Sequence, residues 1–393
     1  DELFDYIASV FDSYDENNED DEVFLQPMVE NIELVGVGFS RDPSTGSAYR
    51  VIEYSAGSDP TAVTSGNQTT TTHVSFHDHP GPGGSLSDVL RILEELEGLF
   101  DSEALDIEFV VSRDHTRPVL LQVRPLTTRS STTTTPKHKD VLDRVHEQIR
   151  LSQKSHPFLS GKSTVFGVMP DWNPAEVIGT RPRPLAMSLY RDVITDSIWA
   201  YQRSNYGYRN LRGHPLMVEF AGQPFIDVRV SFDSFIPAAL PSELASRLVD
   251  YYINTLVTLP EYHDKVEFEI VYSCHTFGIA ERIQRLEQFG FSLSDLERLR
   301  ITLLELTNQI IDPEKGLWRD DWARLGMLDV RRNSISQSGL ETVSKIHWLL
   351  EDCRRYGTLP FAGLARCGFV ARQLLDSMTD TGVLEPLRKA EFL

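Results

Sequence analysis

Residues 105–126 read Leu105-Asp-Ile-Glu-Phe-Val-Val-Ser-Arg-Asp-His-Thr-Arg-Pro-Val-Leu-Leu-Gln-Val-Arg-Pro-Leu126. Their alternation of apolar and polar side chains predicts two strands, 104–112 and 118–123, joined by the polar turn Arg113 to Arg117. Successive side chains of a strand point to opposite faces, so Asp106 and Glu108 share one face, as do Gln122 and Arg124. If the strands pair through the turn, carboxylate, carboxamide and guanidinium groups converge on one surface. Carboxylate and amide oxygens suit a hard cation such as Mg²⁺, and a nearby arginine suits phosphate oxygens. A polar face on a half-exposed sheet explains the same pattern equally well.

Working outward, further strands are expected at 23–29, 32–40 and 49–54, separated by turns rich in Gly, Ser and Asp. Residues 87–99 carry apolar side chains at helical spacing, as does a short amphipathic stretch from Asp1 to Tyr14. The first part of the chain therefore reads as an α+β domain, 1–128, dominated by antiparallel hairpins. Residues 129–139 fall in the polar run Thr-Thr-Arg-Ser-Ser-Thr-Thr-Thr-Thr-Pro-Lys-His-Lys and read as a linker. Residues 140–393 read as a mostly helical domain with a small β element. Helices are expected at 140–152, 193–201, 242–259, 293–311 and 338–355. Two strands are expected within 216–230 around the turn Ala221-Gly-Gln-Pro, and one at 266–272.

The 393 residues contain 38 Lys+Arg against 58 Asp+Glu, a formal charge of −20. That excess argues against a nucleic-acid or anionic-membrane partner, whose capture needs a basic surface. No apolar run approaches the roughly 20 residues of a membrane helix, so the chain reads as soluble. Three widely spaced cysteines, Cys274, Cys353 and Cys367, suggest neither a disulfide framework nor a zinc site, and point to a reducing, cytoplasmic setting. The chain opens on Asp1 rather than Met, without a signal peptide, and reads as a fragment of a longer polypeptide.

A second segment, Gly36-Val-Gly-Phe-Ser-Arg-Asp-Pro-Ser-Thr-Gly46, runs a strand into a turn holding Arg41. Such a turn can present an arginine and several backbone amides to a polyphosphate. Taken alone, it reads more simply as a hairpin turn with an exposed arginine. From 171 to 232 the chain is dense in Asp, Asn, Glu, Arg and Tyr beside prolines. Arg181, Arg183, Arg203, Arg209 and Arg229, with Tyr206 and Tyr208, could hold an anionic or zwitterionic ligand. Each arginine singly is better explained as a partner for the surplus carboxylates.

Four ordered motifs resemble a known family: Val23-Phe-Leu-Gln-Pro-Met-Val29, the Gly36–Gly46 segment, Asp106-Ile-Glu-Phe109, and Leu121-Gln-Val-Arg-Pro-Leu-Thr127. Together they are similar to the ATP-binding, ATP-grasp domain of the phosphoenolpyruvate synthase and pyruvate phosphate dikinase family, over roughly residues 20 to 128. The resemblance implies that Gln26, Pro27, Met28 and Val29 form the hinge beside adenine. It implies that Arg41 contacts phosphate, Glu108 and Gln122 hold Mg²⁺, and Arg124 grips the transferred phosphates. The family's glycine-rich first lobe should precede residue 1. Its phosphohistidine motif occurs at none of the eleven histidines, and Ala62-Val-Thr-Ser-Gly66 departs from the synthase pattern.

Residues 129–393 follow without a phosphohistidine domain, an order that resembles the rifampin phosphotransferase branch. Asp171-Trp-Asn-Pro-Ala-Glu-Val-Ile-Gly179, with Arg181, Arg203, Tyr206, Arg209 and Arg229, looks closer still to glutamine kinase-like members. The resemblance implies an enzyme: an ATP-dependent phosphotransferase that releases AMP and phosphate through a phosphohistidine elsewhere on the same parent chain. ATP and Mg²⁺ would be its cofactors. A small acceptor, for example the amide of glutamine, would be held by Asp171, Asn173, Glu176, Arg181, Arg203, Tyr206, Arg209 and Arg229. A phosphoenolpyruvate synthase-like enzyme acting on pyruvate is the alternative, and a non-catalytic nucleotide- or ligand-binding module is another.

Several other patterns read as structural. Gly161-Lys-Ser163 has the end of a phosphate loop but His156 where the earlier glycine belongs. His73, His77 and His79 lie in a segment of prolines and glycines that suggests an exposed loop rather than a metal site. The acidic stretch Asp15 to Glu22 lacks the ligand alternation of a calcium loop, and Asn67-Gln-Thr69 is a glycosylation sequon by spelling only. Glu267 and Glu269 are expected on one polar strand face, and Cys274 and His275 on diverging sides of a strand.

Overall fold

The computed structural model describes residues 2–14, 22–56, 71–77, 83–115, 117–127 and 135–392. Expectations for residues 15–21, Ala62 to Gly66, the Asn67 sequon, Asp78, His79 and linker residues 128–134 lie outside the described residues. The chain divides into two units, Asp1–Asp140 and Val141–Leu393.

In the first unit, helix α1 (Glu2–Asp12) is followed by strands β1 (Ile32–Phe39), β2 (Tyr49–Ala56) and β3 (Thr71–Phe76). Helix α2 (Ser85–Phe100) and strands β4 (Leu105–Ser112) and β5 (Val119–Pro125) complete it. The five strands form one sheet in the order β3-β2-β1-β4-β5, antiparallel throughout. Leu105, Ile107, Phe109 and Val111 of β4 form one core with Val89, Leu90, Leu93 and Leu96 of α2. The alternate residues Asp106 and Glu108 are thereby assigned to the opposite face.

The glycines of Gly36-Val-Gly38 have a packing role in this sheet. Gly36 pairs with Phe109 and Gly38 with Ile107. A Cβ at 36 would sit 2.8 Å from the Phe109 ring and one at 38 would sit 3.0 Å from Ile107. Glycine here admits the large side chains of the neighbouring strand.

Three expectations for this unit are corrected. Residues 23–29 form no strand: they have no ladder partner among the described residues, and Pro27 lacks an amide donor. Phe24 and Met28 are 80% and 87% exposed, so no core recruits the segment. β3 was not anticipated, because Thr71-Thr-His-Val-Ser-Phe76 carries a weak apolar pattern and gains its order from the β2 edge. Residues 135–139, expected in the linker, belong to helix α3 (Thr135–Ser152).

In the second unit the rest of α3 is followed by strand β6 (Phe166–Gly167) and short helices α4 (Pro174–Ile178) and α5 (Pro184–Tyr190). A π-helical turn, Arg191–Thr195, leads to α6 (Ile198–Asn205). β7 (Met217–Phe220) and β8 (Gln223–Asp227) make a hairpin whose loop residues Ala221 and Gly222 both have positive φ, 49° and 82°. That is the twist a two-residue hairpin loop requires. Both expected strands fall within 216–230, and the second ends where Asp227 caps helix α7 (Val228–Asp233).

Helices α8 (Ser242–Thr258), α9 (Val266–Glu269), α10 (Ile279–Gln284) and α11 (Leu293–Ile311) follow, and Ser292 and Asp295 close a capping box on α11. Next come α12 (Trp318–Leu325), α13 (Met327–Gln337) and α14 (Thr342–Asp352). A π-helical turn then joins α14 to α15 (Leu359–Asp380), and α16 (Pro386–Phe392) ends the unit. The expected strand 266–272 is instead the short helix α9 and irregular chain. Val266 and Ile270, both buried, are four apart, so the alternating pattern also satisfies one helical turn. α12, α13 and α15 were not anticipated from the pattern. Among the described residues no helix is long and apolar enough to cross a membrane.

Candidate functional site

In the first unit the β4–β5 register sets Asp106 opposite Arg124 and Glu108 opposite Gln122. Arg124 Nη2 donates to Asp106 Oδ2 at 2.9 Å and lies 3.7 Å from Glu108 Oε1. The four groups expected to converge do so. Asp106, assigned no role by the resemblance, is the arginine's closest partner. Its Oδ1 is buried and has no hydrogen-bond partner among the described residues.

These groups fit Mg²⁺ in a restricted sense. Among the described residues no group of three or more His, Cys, Asp or Glu side chains could hold a metal ion. Mg²⁺ commonly takes one or two carboxylates and completes its shell with water and phosphate oxygens. Glu108 and Gln122, opposite each other in the register, match that habit.

Arg41 pairs with Glu103 and donates to the Gly46 carbonyl at 3.2 Å. The amides of Ser44 and Thr45 both donate to Asp42 Oδ1 at 2.8 Å, and that of Gly46 to the Asp42 carbonyl at 2.8 Å. The turn thus consumes the backbone donors that were expected to face a polyphosphate. The Asp42 side chain, one residue after the arginine, organises this closure. Gln26, Pro27 and Met28 are exposed and Val29 is half-buried. His77 engages the Ser40 carbonyl at 2.6 Å, a structural contact.

The second unit contains a cavity of about 600 Å³. Asp171, Asn173, Glu176 and Arg203, four of the eight expected acceptor residues, line it together. Arg203 Nη2 donates to both Asp171 oxygens at 3.1 and 3.2 Å, and Ser231 donates to Asp171 Oδ2 at 2.8 Å. Burial raises the Asp171 pKa above the usual carboxylate value, against the opposing pull of Arg203. Beside this pair, Arg366 of α15 grips Glu267 of α9. The guanidinium carbons of Arg203 and Arg366 lie 3.9 and 5.0 Å from the Phe235 ring centroid.

The rim of the cavity is conformationally unusual. Trp172 and Asn173 have φ of 52° and 26°, positive values that non-glycine residues rarely adopt. The Tyr190 hydroxyl donates to the Trp172 carbonyl, and the Asn173 side chain caps α4. Strain of this kind, when over-determined by its surroundings, concentrates at functional sites.

The other four expected residues lie elsewhere. Arg181 is exposed and outside the cavity. Tyr206 donates to Asp321 at 2.7 Å within a core of its own. Arg209 lies 2.9 Å from the Asp233 carboxylate. Arg229 donates to the Lys154 and Ser152 carbonyls at 2.7 and 3.2 Å, and borders a second cavity of about 490 Å³ with His156 and His214. Gln202, Glu267 and Arg366 were missed as cavity residues. Gln202 stands beside the expected Arg203, whereas nothing local marks Glu267 and Arg366, which helix packing brings to the cavity. Cys274 is buried, and that burial pushes its thiol up to about 12, which disfavours the reactive thiolate.

No protein-family model and no curated protein matches the chain.

Proposed function

We propose that this chain supplies part of the nucleotide site and the acceptor domain of an ATP-dependent, dikinase-type phosphotransferase. The observation that carries this reading is the convergence of Asp106, Glu108, Gln122 and Arg124 on one face of β4–β5. It supports the four ordered ATP-grasp motifs with the arrangement their chemistry needs. Phosphoryl transfer asks mainly for positioning and charge neutralisation. Arg124 and Arg41 would face phosphate oxygens, and Glu108 and Gln122 would hold Mg²⁺, which when bound neutralises phosphate charge. A phosphohistidine domain of the same parent chain would carry the phosphoryl group, and the enzyme would work in the cytoplasm.

The acceptor would be a small amino-acid-like or carboxylate molecule, held in the cavity that gathers Asp171, Asn173, Glu176 and Arg203. Of the expected residues these four alone share one cavity, which makes it the best-supported acceptor site.

The test uses the full polypeptide containing these residues, incubated with Mg²⁺-ATP and a panel of glutamine, other amino acids, aromatic acids and pyruvate. Phosphorus NMR would follow AMP, phosphate and any new phosphorylated product. AMP with a phosphorylated acceptor upholds the proposal, and a phosphoramidate signal would identify glutamine. Phosphoenolpyruvate formation would move the chain to the synthase-like alternative. No ATP turnover with any acceptor would leave a non-catalytic binding module.

A further inference from the structure

The cavity of the second unit has two features that its ion pairs do not explain. First, its walls are aromatic. Trp172 and Phe361 lie with ring centroids 6.4 Å apart, and Phe268 and Phe369 5.7 Å apart, and all four line it. Phe361 and Phe369 line the cavity and remain 57% and 38% exposed, so both keep uncovered apolar surface. Such walls favour a flat apolar body, by burial and by ring stacking.

Second, hydrogen-bond donors are left over. Gln202 and Arg366 are only 2% and 3% exposed, and both line the cavity. Yet Gln202 Nε2 and Arg366 Nε have no hydrogen-bond partner among the described residues. Of the four carboxylates lining the cavity, Asp171 accepts from Arg203 and Ser231, Glu267 accepts from the terminal nitrogens of Arg366, and Glu176 and Asp264 are exposed. Buried donors without acceptors are costly, and a ligand oxygen relieves that cost. Among the cavity's carboxylates, Asp171 is matched by Arg203 and Glu267 by Arg366.

We propose that this cavity binds a small carboxylate with a flat apolar body, an aromatic acid or aromatic amino acid. The ring lies between the Trp172–Phe361 and Phe268–Phe369 pairs, and the carboxylate accepts from Gln202 and Arg366. As a statement about the phosphoryl acceptor this rests on the proposed function above; as a statement about binding it stands alone.

Calorimetric titration of the 393-residue chain tests it, with phenylacetate and L-phenylalanine as probes. Phenethylamine, lacking the carboxylate, and propionate, lacking the ring, serve as controls. Saturable binding of at least one aromatic carboxylate is expected, about tenfold or more tighter than either control. Gln202→Leu should weaken that binding about tenfold. Phe361→Ala, at an exposed position that is tolerant of change, should erase the advantage over propionate. Circular dichroism would establish that both variants keep the fold. No saturable binding of either aromatic probe, equal affinity for phenethylamine, or unchanged affinity in both variants would overturn the inference. Binding without AMP formation would uphold it while sinking phosphoryl transfer, and AMP formation without aromatic binding would do the reverse.

Discussion

Arg366 and Glu267 lie 99 positions apart and meet through both terminal guanidinium nitrogens, Nη2 donating to Oε1 at 2.8 Å and Nη1 to Oε2. The contact ties α15 to α9 at the floor of the cavity. Burial works against the Arg366 charge, but the facing Glu267 carboxylate outweighs it, and the guanidinium pKa ends above its ordinary value. Removing one partner strands the other charge at a largely buried position. Arg366→Met should therefore lower unfolding stability by about 3–5 kcal/mol. Adding Glu267→Gln should restore a large part of it. Urea denaturation of both variants checks this, and equal losses in the single and the double variant would contradict the pairing.

His214 should make the second unit acid-sensitive. Its ring centroid lies 5.1 Å from that of His156. Burial first, then the neighbouring His156, holds its pKa below the ordinary imidazole value, with Asp233 and Asp227 pulling weakly the other way. The folded chain binds this proton more weakly than the unfolded chain. The resulting stability is present above the unfolded value of about 6.5 and is lost as pH falls through the depressed folded value. The thermal midpoint should drop less in His214→Gln than in the parent between about pH 7 and about pH 5. Parallel pH profiles would remove His214 as the cause.

Gly363 is required by its neighbours. A Cβ there would collide with the Asp321 carboxylate and sit 2.7 Å from the Tyr206 hydroxyl. Those two groups are hydrogen-bonded at 2.7 Å. Gly363→Ala should cost about 1–3 kcal/mol by overpacking. Gly213→Ala, where nothing lies within 4 Å of the added atom, should change stability by about 0.5 kcal/mol or less. Chemical denaturation of the two variants gives the comparison directly.

Glu108 and Arg124 should separate stability from activity. Their side chains are 28% and 51% exposed, on the sheet face away from the α2 core. Glu108→Ala and Arg124→Ala should unfold within about 0.5 kcal/mol of the parent. In the full polypeptide either change should abolish AMP release from Mg²⁺-ATP. Undiminished AMP release by either variant would overturn the proposed nucleotide site.

The amino-acid sequence by itself determined the α+β character of the first unit and the shared face of Asp106, Glu108, Gln122 and Arg124. It did so because strand alternation is a local property, and one hairpin fixes which side chains lie together. For the same reason α11 was legible to its ends, carrying its own periodicity and its own cap. Only the tertiary structure decided the rest. Val266 to Tyr272 alternates like a strand, yet folds as a helical turn because the core takes Val266 and Ile270 together. Val23 to Val29 looks like a strand and has no ladder to join among the described residues. The cavity draws on four stretches of chain, around residues 170, 203, 266 and 366, and only two of them carried a recognisable motif. Gln202, Glu267 and Arg366 acquired their place from helix packing. Which buried charges meet depends on how distant helices are packed, and no local pattern records that.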